Sequence, residues 1–506
     1  MVSCGLSSSI DPAIKRSLVT HVAPDHVKVQ SDPSLAMFTA QGAAIEAACI
    51  NPPKGGIAMT TQYLNLDLAE RTAASEFIAR KAVRAAYFGF FVDMFEVYLP
   101  VAVLAPALVY FIPPGLSAAT RATTFSVIFA ISLMGRPIGS MIFGHFGDRL
   151  GRRRVTLISV AGFAIATILI AALPGYQVWG GASIAALLIL RLADGVFVGG
   201  EYTAANPLAM EYSPKQKRGL YAGLIHMGYP SALVCASLLT AFMLKVAPSG
   251  DAGSAYAVWG WRIPFLIGAL LAGALFIYYY LSVPESEVWR SSKKSAAPLR
   301  EIFAGADLRR LGQLIVVMSG AWLTLDATVA ALPGVIDTVL GVKSPDVNTA
   351  ILIGAAVLMP IFPLIGVLSQ RFGRRNLLIV LGFLNLVPAS VLYYVLVAGG
   401  YRDSAILLAL VALILIFTTP AWAVITPYLT ESFRTEIRSS GYGLSYSLAT
   451  VLPGFYSFYM LALAKLMPYE FTPIVLLAGG GLMLVLGALA GPETKHIEFR
   501  REAVAQ

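Results

Sequence analysis

Residues 144–153 read Gly-His-Phe-Gly-Asp-Arg-Leu-Gly-Arg-Arg, and residues 366–375 read Gly-Val-Leu-Ser-Gln-Arg-Phe-Gly-Arg-Arg. The two stretches match at Gly144/Gly366, Arg149/Arg371, Gly151/Gly373, Arg152/Arg374 and Arg153/Arg375. A second pair of matches follows each of them. Pro207, Glu211, Arg218, Gly223 and Leu224 recur with the same spacing as Pro427, Glu431, Arg438, Gly443 and Leu444. Two matches at nearly one offset imply that the chain is an internal duplication.

Each matched loop is flanked by long apolar runs. A spanning helix needs roughly 20 mainly apolar residues. Such runs fall near 86–111, 122–146, 155–173, 181–210, 220–244, 257–282, 311–340, 348–369, 376–399, 404–429, 440–464 and 471–490. Helix is the structure they predict, because in lipid every backbone N–H and C=O must be satisfied within the segment. Glycine and proline inside them are no objection, since bundled membrane helices tolerate both. Composition agrees: the chain is 57% hydrophobic and only 13% charged, where soluble domains carry about 25% charged residues. The expected fold is therefore an all-α membrane protein, with twelve transmembrane helices in two six-helix pseudo-repeats. Parallel repeats of this kind place a substrate site between the halves, near the midplane.

The expected organisation is a disordered leader at 1–58, upstream of a possible natural start at Met59, and an amphipathic juxtamembrane segment at 59–84. The N-terminal bundle follows at 85–282, a linker at 283–310, the C-terminal bundle at 311–490 and a tail at 491–506. The amphipathic stretch mixes Leu64, Leu66, Leu68, Phe77 and Ile78 with Asp67, Glu70, Arg71, Glu76, Arg80, Lys81 and Arg84, a pattern for the membrane surface.

The formal net charge is +9. A nucleic-acid footprint needs a clustered basic face, whereas these charges sit in short runs between apolar stretches. Most lysines and arginines outside the spans lie on the side that holds both termini. The other side is left with Arg121, Lys245, Arg262, Lys343, Arg402 and Lys465. The positive-inside rule then makes both termini cytoplasmic, in a multi-pass protein of the cell's inner (plasma) membrane. Cys4, Cys49 and Cys235 show no metal-ligand or disulfide spacing, so no metal and no cofactor are expected. No Gly-x-x-x-x-Gly-Lys-Ser/Thr loop is present, which argues against nucleotide-driven or other enzymatic chemistry.

At these residues the chain resembles the major facilitator superfamily. The loop at 144–153 is similar to that superfamily's most specific short pattern. The resemblance implies a cytoplasmic gate latch made of Gly144, Asp148, Arg149, Gly151, Arg152 and Arg153, with Gly366, Arg371, Gly373 and Arg374 in the second half. Asp148 is expected to salt-link to a neighbouring helix. Asp93-Met-Phe-Glu96, Gly135-Arg136-Pro137-Ile-Gly139, Gly199-Gly200-Glu201-Tyr202 and Trp259-Gly-Trp261-Arg262-Ile-Pro264-Phe265 resemble the metabolite:proton symporter branch. That branch includes transporters of 2-oxoglutarate, citrate, shikimate and proline or betaine. Gln370, Asp194 and Asp326 depart from its pattern, as does the order of Asp93 and Glu96.

Charged residues inside the predicted spans are few: Arg136 and Arg191, against Asp93, Glu96, Asp194, Glu201 and Asp326. An ionised group at a helix centre costs roughly 2.5–3.5 kcal/mol on insertion scales, so such groups face a cavity or pair. Acids outnumber bases, and the surplus carboxyls are natural carriers of a coupling proton. Asp93 and Glu96, at i and i+3, share a helix face. They read either as the proton-coupling pair or as groups that polarise a hydrated cavity or pair statically with an arginine. Arg191 and Asp194 read as an intramembrane pair, or Arg191 reads as alternating between an acid and the substrate. Arg136 is a candidate carboxylate ligand or a structural group beside Pro137. Glu201 and Asp326 are further candidate substrate contacts. Glu201 also reads as an interhelical hydrogen bond, and Asp326 as a merely solvated acid. His226 reads as a proton relay or as packing. Tyr98, Tyr202, Tyr229, Trp322 and Trp422 are candidate pocket linings or anchors.

The leading expectation is proton-coupled symport of a small metabolite by alternating access, with the arginines favouring an organic acid. The expected partners are that substrate, protons and the lipid bilayer, with no nucleic acid, and the chain is expected to work as a monomer. A zwitterionic osmolyte stays open because of the acid excess. Proton-driven efflux is the alternative, weakened because residues 223–230 lack the Gly-Pro-x-x-Gly-Gly run of antiporters. A nutrient sensor on a transporter fold is a remote third.

Overall fold

The computed structural model describes residues 56–116, 118–338, 344–401 and 404–499. Among them every regular element is a helix. The chain divides into two units, residues 1–73 and 74–506. The described part of the first unit is helical. The expected disordered leader at 1–58 lies outside the described residues, apart from the helical Gly56–Ala58. The end of the tail, 500–506, lies outside them too.

Among the described residues, the second unit holds twelve helices long and apolar enough to cross a membrane. They are α1 (Glu76–Tyr110), α2 (Val127–Leu150), α3 (Arg152–Ala171), α4 (Gly181–Tyr212), α5 (Lys215–Val246) and α6 (Tyr256–Ser282) in the first half. The second half holds α7 (Gly305–Ile336), α8 (Thr349–Phe372), α9 (Arg374–Gly399), α10 (Ala405–Glu431), α11 (Thr435–Leu463) and α12 (Tyr469–Leu489). The helix that becomes α1 is unbroken from Gly56 to Tyr98. The linker between α6 and α7 forms two short helices, Glu287–Ser291 and Pro298–Ile302.

The polarity of the bundle is inverted relative to a water-soluble protein. Arg152, Arg191 and Arg374 rank among the largest fully buried side chains, whereas Leu270 and Leu281 are 73% and 74% exposed. An apolar exterior around a charged interior is what lipid demands.

Small residues bring backbones together where the charges lie. A methyl on Gly135 would meet the Leu192 oxygen at 2.5 Å, and one on Gly199 would meet the Arg136 oxygen at 2.5 Å. These contacts hold α2 against α4, as small residues do between membrane helices. The same device closes the halves on one another. Gly219 and Gly223 of α5 abut the backbone of Gly366 and Phe362 in α8, and Gly144 of α2 abuts Ser440 of α11.

Four stretches within the spans widen to a π-helix: Leu99–Leu104, Tyr256–Gly260, Asp326–Ala331 and Asn385–Ala389. Pro100 and Pro388 lie inside two of them. Pro333 follows Asp326–Ala331, and its ring opposes the carbonyl four residues back, at Val329. π-bulges of this kind are frequent at functional sites.

Candidate functional site

Two polar systems stand out. The first is buried wholly within the first half. α1 supplies Asp93 and Glu96, α2 supplies Arg136, and α4 supplies Arg191, Asp194 and Glu201, each no more than 2% exposed. Arg136 Nη2 lies 3.3 Å from Asp93 Oδ1. Arg191 Nη1 lies 2.9 Å from Asp194 Oδ2, the i,i+3 pair visible in the sequence. Glu96 Oε2 accepts from Thr167 Oγ1 of α3 at 3.0 Å. Asp93, Arg191 and Asp194 all lie in electrostatic reach of Glu96, and Asp93 lies in reach of Glu201.

The cluster is under-satisfied. Asp93 Oδ2, Glu96 Oε1, Asp194 Oδ1, Glu201 Oε1, Arg136 Nε and Arg191 Nε have no hydrogen-bond partner among the described residues. Native structures leave few such groups, and each needs a reason. Gly89 and Gly268 give the two glutamates their room. A methyl on Gly268 would meet Glu96 Oε1 at 2.5 Å, and one on Gly89 would overlap Glu201 Oε1.

His226 and Asp326 stand apart from this cluster. His226 Nδ1 lies 3.1 Å from the Ala222 carbonyl and Nε2 lies 3.5 Å from Thr426 Oγ1 in α10. Its ring packs on Phe90. Thr426 reaches Tyr442 at 3.0 Å, and Asn206 Nδ2 donates to the same Tyr442 hydroxyl at 2.8 Å. The histidine thus joins a hydrogen-bonded seam between the halves. Asp326 is the only one of the sequence-predicted membrane acids in the second half, and it is partly exposed.

The second polar system closes the seam at the face that carries the α2–α3 and α8–α9 loops. Asp148 ends α2 by accepting from Ser439 N at 2.9 Å, Ser440 N at 2.9 Å and Ser440 Oγ at 2.7 Å. These donors open α11. The expected salt link to a neighbouring helix is present as well: Arg152, which starts α3 in the same half, lies 3.9 Å away. Helix N-termini bind anions through exposed N–H groups, which is why a carboxylate suits this place. Arg152 Nη2 donates to the Thr435 oxygen at 2.9 Å, also across the seam. Glu211 of α4 pairs with both Arg152 and Arg438. Glu431 of α10 answers with Arg218 at 3.5 Å and Arg374 at 3.4 Å.

The repeat extends to the caps. Gly151 (φ 111°) and Gly373 (φ 103°) adopt a left-handed conformation that favours glycine. Each lets a glutamate from the end of its half cap the next helix. Glu285 accepts from Arg152 N and Arg153 N at 3.1 Å. Glu493 accepts from Arg374 N at 2.8 Å and Arg375 N at 3.1 Å. Trp289 Nε1 of the linker donates to the Asp148 backbone carbonyl at 2.8 Å, and Lys294 sits 3.5 Å over the Trp289 ring. Partial burial, reinforced by the Arg152 cation, lowers the Lys294 ammonium below the ordinary lysine value.

Other members of the predicted latch point elsewhere. Arg149 and Arg371 are exposed. Arg153 ties down the end of α6 through the carbonyls of Val283 at 2.7 Å and Tyr280 at 2.6 Å. Gly144 and Gly366 act through close packing, as described above. Sequence reasoning missed Glu285 and Glu493. Their signal was present in Pro284-Glu285-Ser286 and Pro492-Glu493-Thr494, which repeat just past each half.

Known proteins share this architecture. The profile of the Major Facilitator Superfamily matches residues 86–457. The shikimate transporter of Escherichia coli is 30% identical over 387 residues, covering 74% of this chain and 85% of that protein. The citrate-proton symporter of Klebsiella pneumoniae is 29% identical over 403 residues, covering 78% and 86%. The proline/betaine transporter of E. coli is 28% identical over 394 residues, covering 74% and 76%. Among solved structures, the proton:xylose symporter XylE bound to 6-bromo-6-deoxy-D-glucose matches with a TM-score of 0.66 at 19% identity. The match covers 82% of this chain and 95% of that one.

Proposed function

The chain belongs to the Major Facilitator Superfamily, whose members are membrane transporters and not enzymes, and from that premise we propose that it couples inward proton flow to uptake of a small organic acid. The two halves would rock about a midplane site. The observation that carries the proposal is the first-half cluster, in which Asp93, Glu96, Asp194 and Glu201 share a buried space with only Arg136 and Arg191. A buried ion pair stripped of one member is destabilised by about 3–5 kcal/mol, so surplus carboxyls in such a place bind protons.

Asp93 and Glu96 are assigned to the coupling proton. Protonating Asp93 would release Arg136, whose planar fork of donors suits a substrate carboxylate. Arg191, Glu201 and Asp326 complete the proposed substrate contacts. His226, bonded to Ala222 and Thr426, is assigned to the seam rather than to the proton path. The latch face is assigned to the cytoplasm, because the lysines and arginines outside the spans gather there. Two of the relatives named above are transporters of shikimate and of citrate with protons, which supports an organic acid as the substrate class.

The test is uptake by proteoliposomes holding the purified protein under an imposed inward proton gradient. Labelled mono-, di- and tricarboxylates, aromatic acids and betaines are screened with and without a protonophore. Accumulation of an organic acid that the protonophore abolishes supports symport. If preloaded compounds instead leave faster under the same gradient, the protein is an efflux antiporter.

A further inference from the structure

Of the membrane acids singled out in the sequence, Asp326 is the one that neither the cluster nor the latch uses. Asp326 sits at the start of the π-helical stretch of α7, partly exposed, and no hydrogen bond or ion pair reaches its carboxylate among the described residues. The group in electrostatic reach is the Tyr456 phenol, which is no counter-ion. An acid kept in a membrane helix without an internal partner calls for an external one.

One helical turn earlier on the same face stands Trp322. Its ring centroid lies 4.7 Å from that of Trp422 at 76°, and 5.7 Å from that of Tyr446 at 88°. Trp422 and Tyr446 meet at 5.9 Å and 63°. Three mutually steep rings make a corner rather than a stack. Trp322 Nε1 donates to the Tyr446 carbonyl at 3.3 Å, which fixes the corner's geometry. Trp322 keeps part of its surface exposed, with Trp422 and Tyr446 buried behind it.

The corner is also where the halves meet. Tyr446 lies 4.6 Å from Tyr202 of α4, ring to ring. Arg136 is in electrostatic reach of both tyrosines. Arg136 thus borders these rings from the first half, and Asp326 stands one helical turn from Trp322 in the second. Aromatic faces beside a carboxylate attract a cationic nitrogen, with tryptophan the strongest of the rings.

We propose that Asp326 and the Trp322–Trp422–Tyr446 corner form a subsite for a positively charged nitrogen, so that the transported organic acid is a zwitterion. The proposal rests on the transport reading above and narrows its substrate class. The acid end of the substrate faces Arg136 and the cationic end faces Asp326.

The experiment is equilibrium binding to the purified full-length protein, read by tryptophan fluorescence. The probes are matched pairs that differ by one charge: betaine against 3,3-dimethylbutanoate, proline against cyclopentanecarboxylate, and 4-aminobutanoate against pentanoate. At least one zwitterion should bind about tenfold or more tightly than its carbon isostere. Asp326→Asn should erase that preference, and Asp326→Glu should restore most of it. If no zwitterion outbinds its isostere, or if Asp326→Asn leaves the ratio unchanged, the subsite is refuted. Succinate and citrate are run alongside. If they bind and accumulate with protons while no zwitterion is preferred, the subsite fails and organic-acid symport stands. If no compound binds or accumulates, the transport reading itself fails.

Discussion

Replacing Asp148 with Asn should loosen the latch by an amount that the structure allows to be worked out. The carboxylate accepts three hydrogen bonds from Ser439 and Ser440 at the start of α11, at 2.7–2.9 Å. Asparagine keeps one acceptor oxygen and turns the other into an NH2 that faces a donor. A hydrogen bond to a charged group is worth about 1.5–3 kcal/mol. These bonds cross from the first half to the second, so they exist only while this face is closed. The whole loss therefore falls on the closed state. At about 1.4 kcal/mol per decade, the ratio of open to closed molecules should rise roughly ten- to hundredfold. Arg149 and Arg371 offer the reporter sites, because they occupy matching loops of the two halves and are both exposed. With the native cysteines replaced, nitroxides at R149C and R371C report the separation by pulsed electron resonance. Asp148→Asn should add a longer-distance population. A folded, normally melting variant with an unchanged distance distribution would refute the latch argument.

Three further outcomes follow from the same geometry. Glu96→Gln should abolish accumulation driven by a proton gradient while sparing exchange of labelled for unlabelled substrate, because exchange needs no net proton movement; equal loss of both would remove Glu96 from the coupling step. Gly139→Val places a side chain onto the Val196 carbonyl, so it should destabilise the protein by at least the roughly 1–3 kcal/mol typical of overpacking, read as a lower thermal midpoint in detergent. An unchanged midpoint would mean that α2 and α4 are not in backbone contact. Gly373→Ala should destabilise by about 1–3 kcal/mol, since φ is 103° and the new methyl overlaps Glu493. A melt matching that of the parent protein would contradict the cap.

Span length and number were legible because lipid imposes a simple rule: long apolar runs must be helices. The Arg191–Asp194 pair was legible because i,i+3 spacing on a helix brings side chains together whatever surrounds them. The Arg136–Asp93 pair was not, because it depends on how α1 and α2 cross. The latch motif told which residues to watch but not which way each points. Asp148 and Arg152 lie one turn apart and face the seam, while Arg149, one residue from Asp148, faces outward. Glu285 and Glu493 escaped notice because a glutamate after a proline in a connecting segment reads as an ordinary solvated charge. Their role needs the positive φ of Gly151 and Gly373, which turns two N–H groups toward each carboxylate.

The most direct test of the central claim follows protons rather than substrate. Proteoliposomes carry a pH-sensitive dye inside, with no pH gradient at the start and the membrane potential clamped. An inward gradient of the preferred substrate is then applied. Symport predicts that the lumen acidifies as substrate enters, and that Asp93→Asn or Glu96→Gln removes the acidification. A lumen that turns alkaline, or substrate entry with no pH change, would contradict proton-coupled uptake.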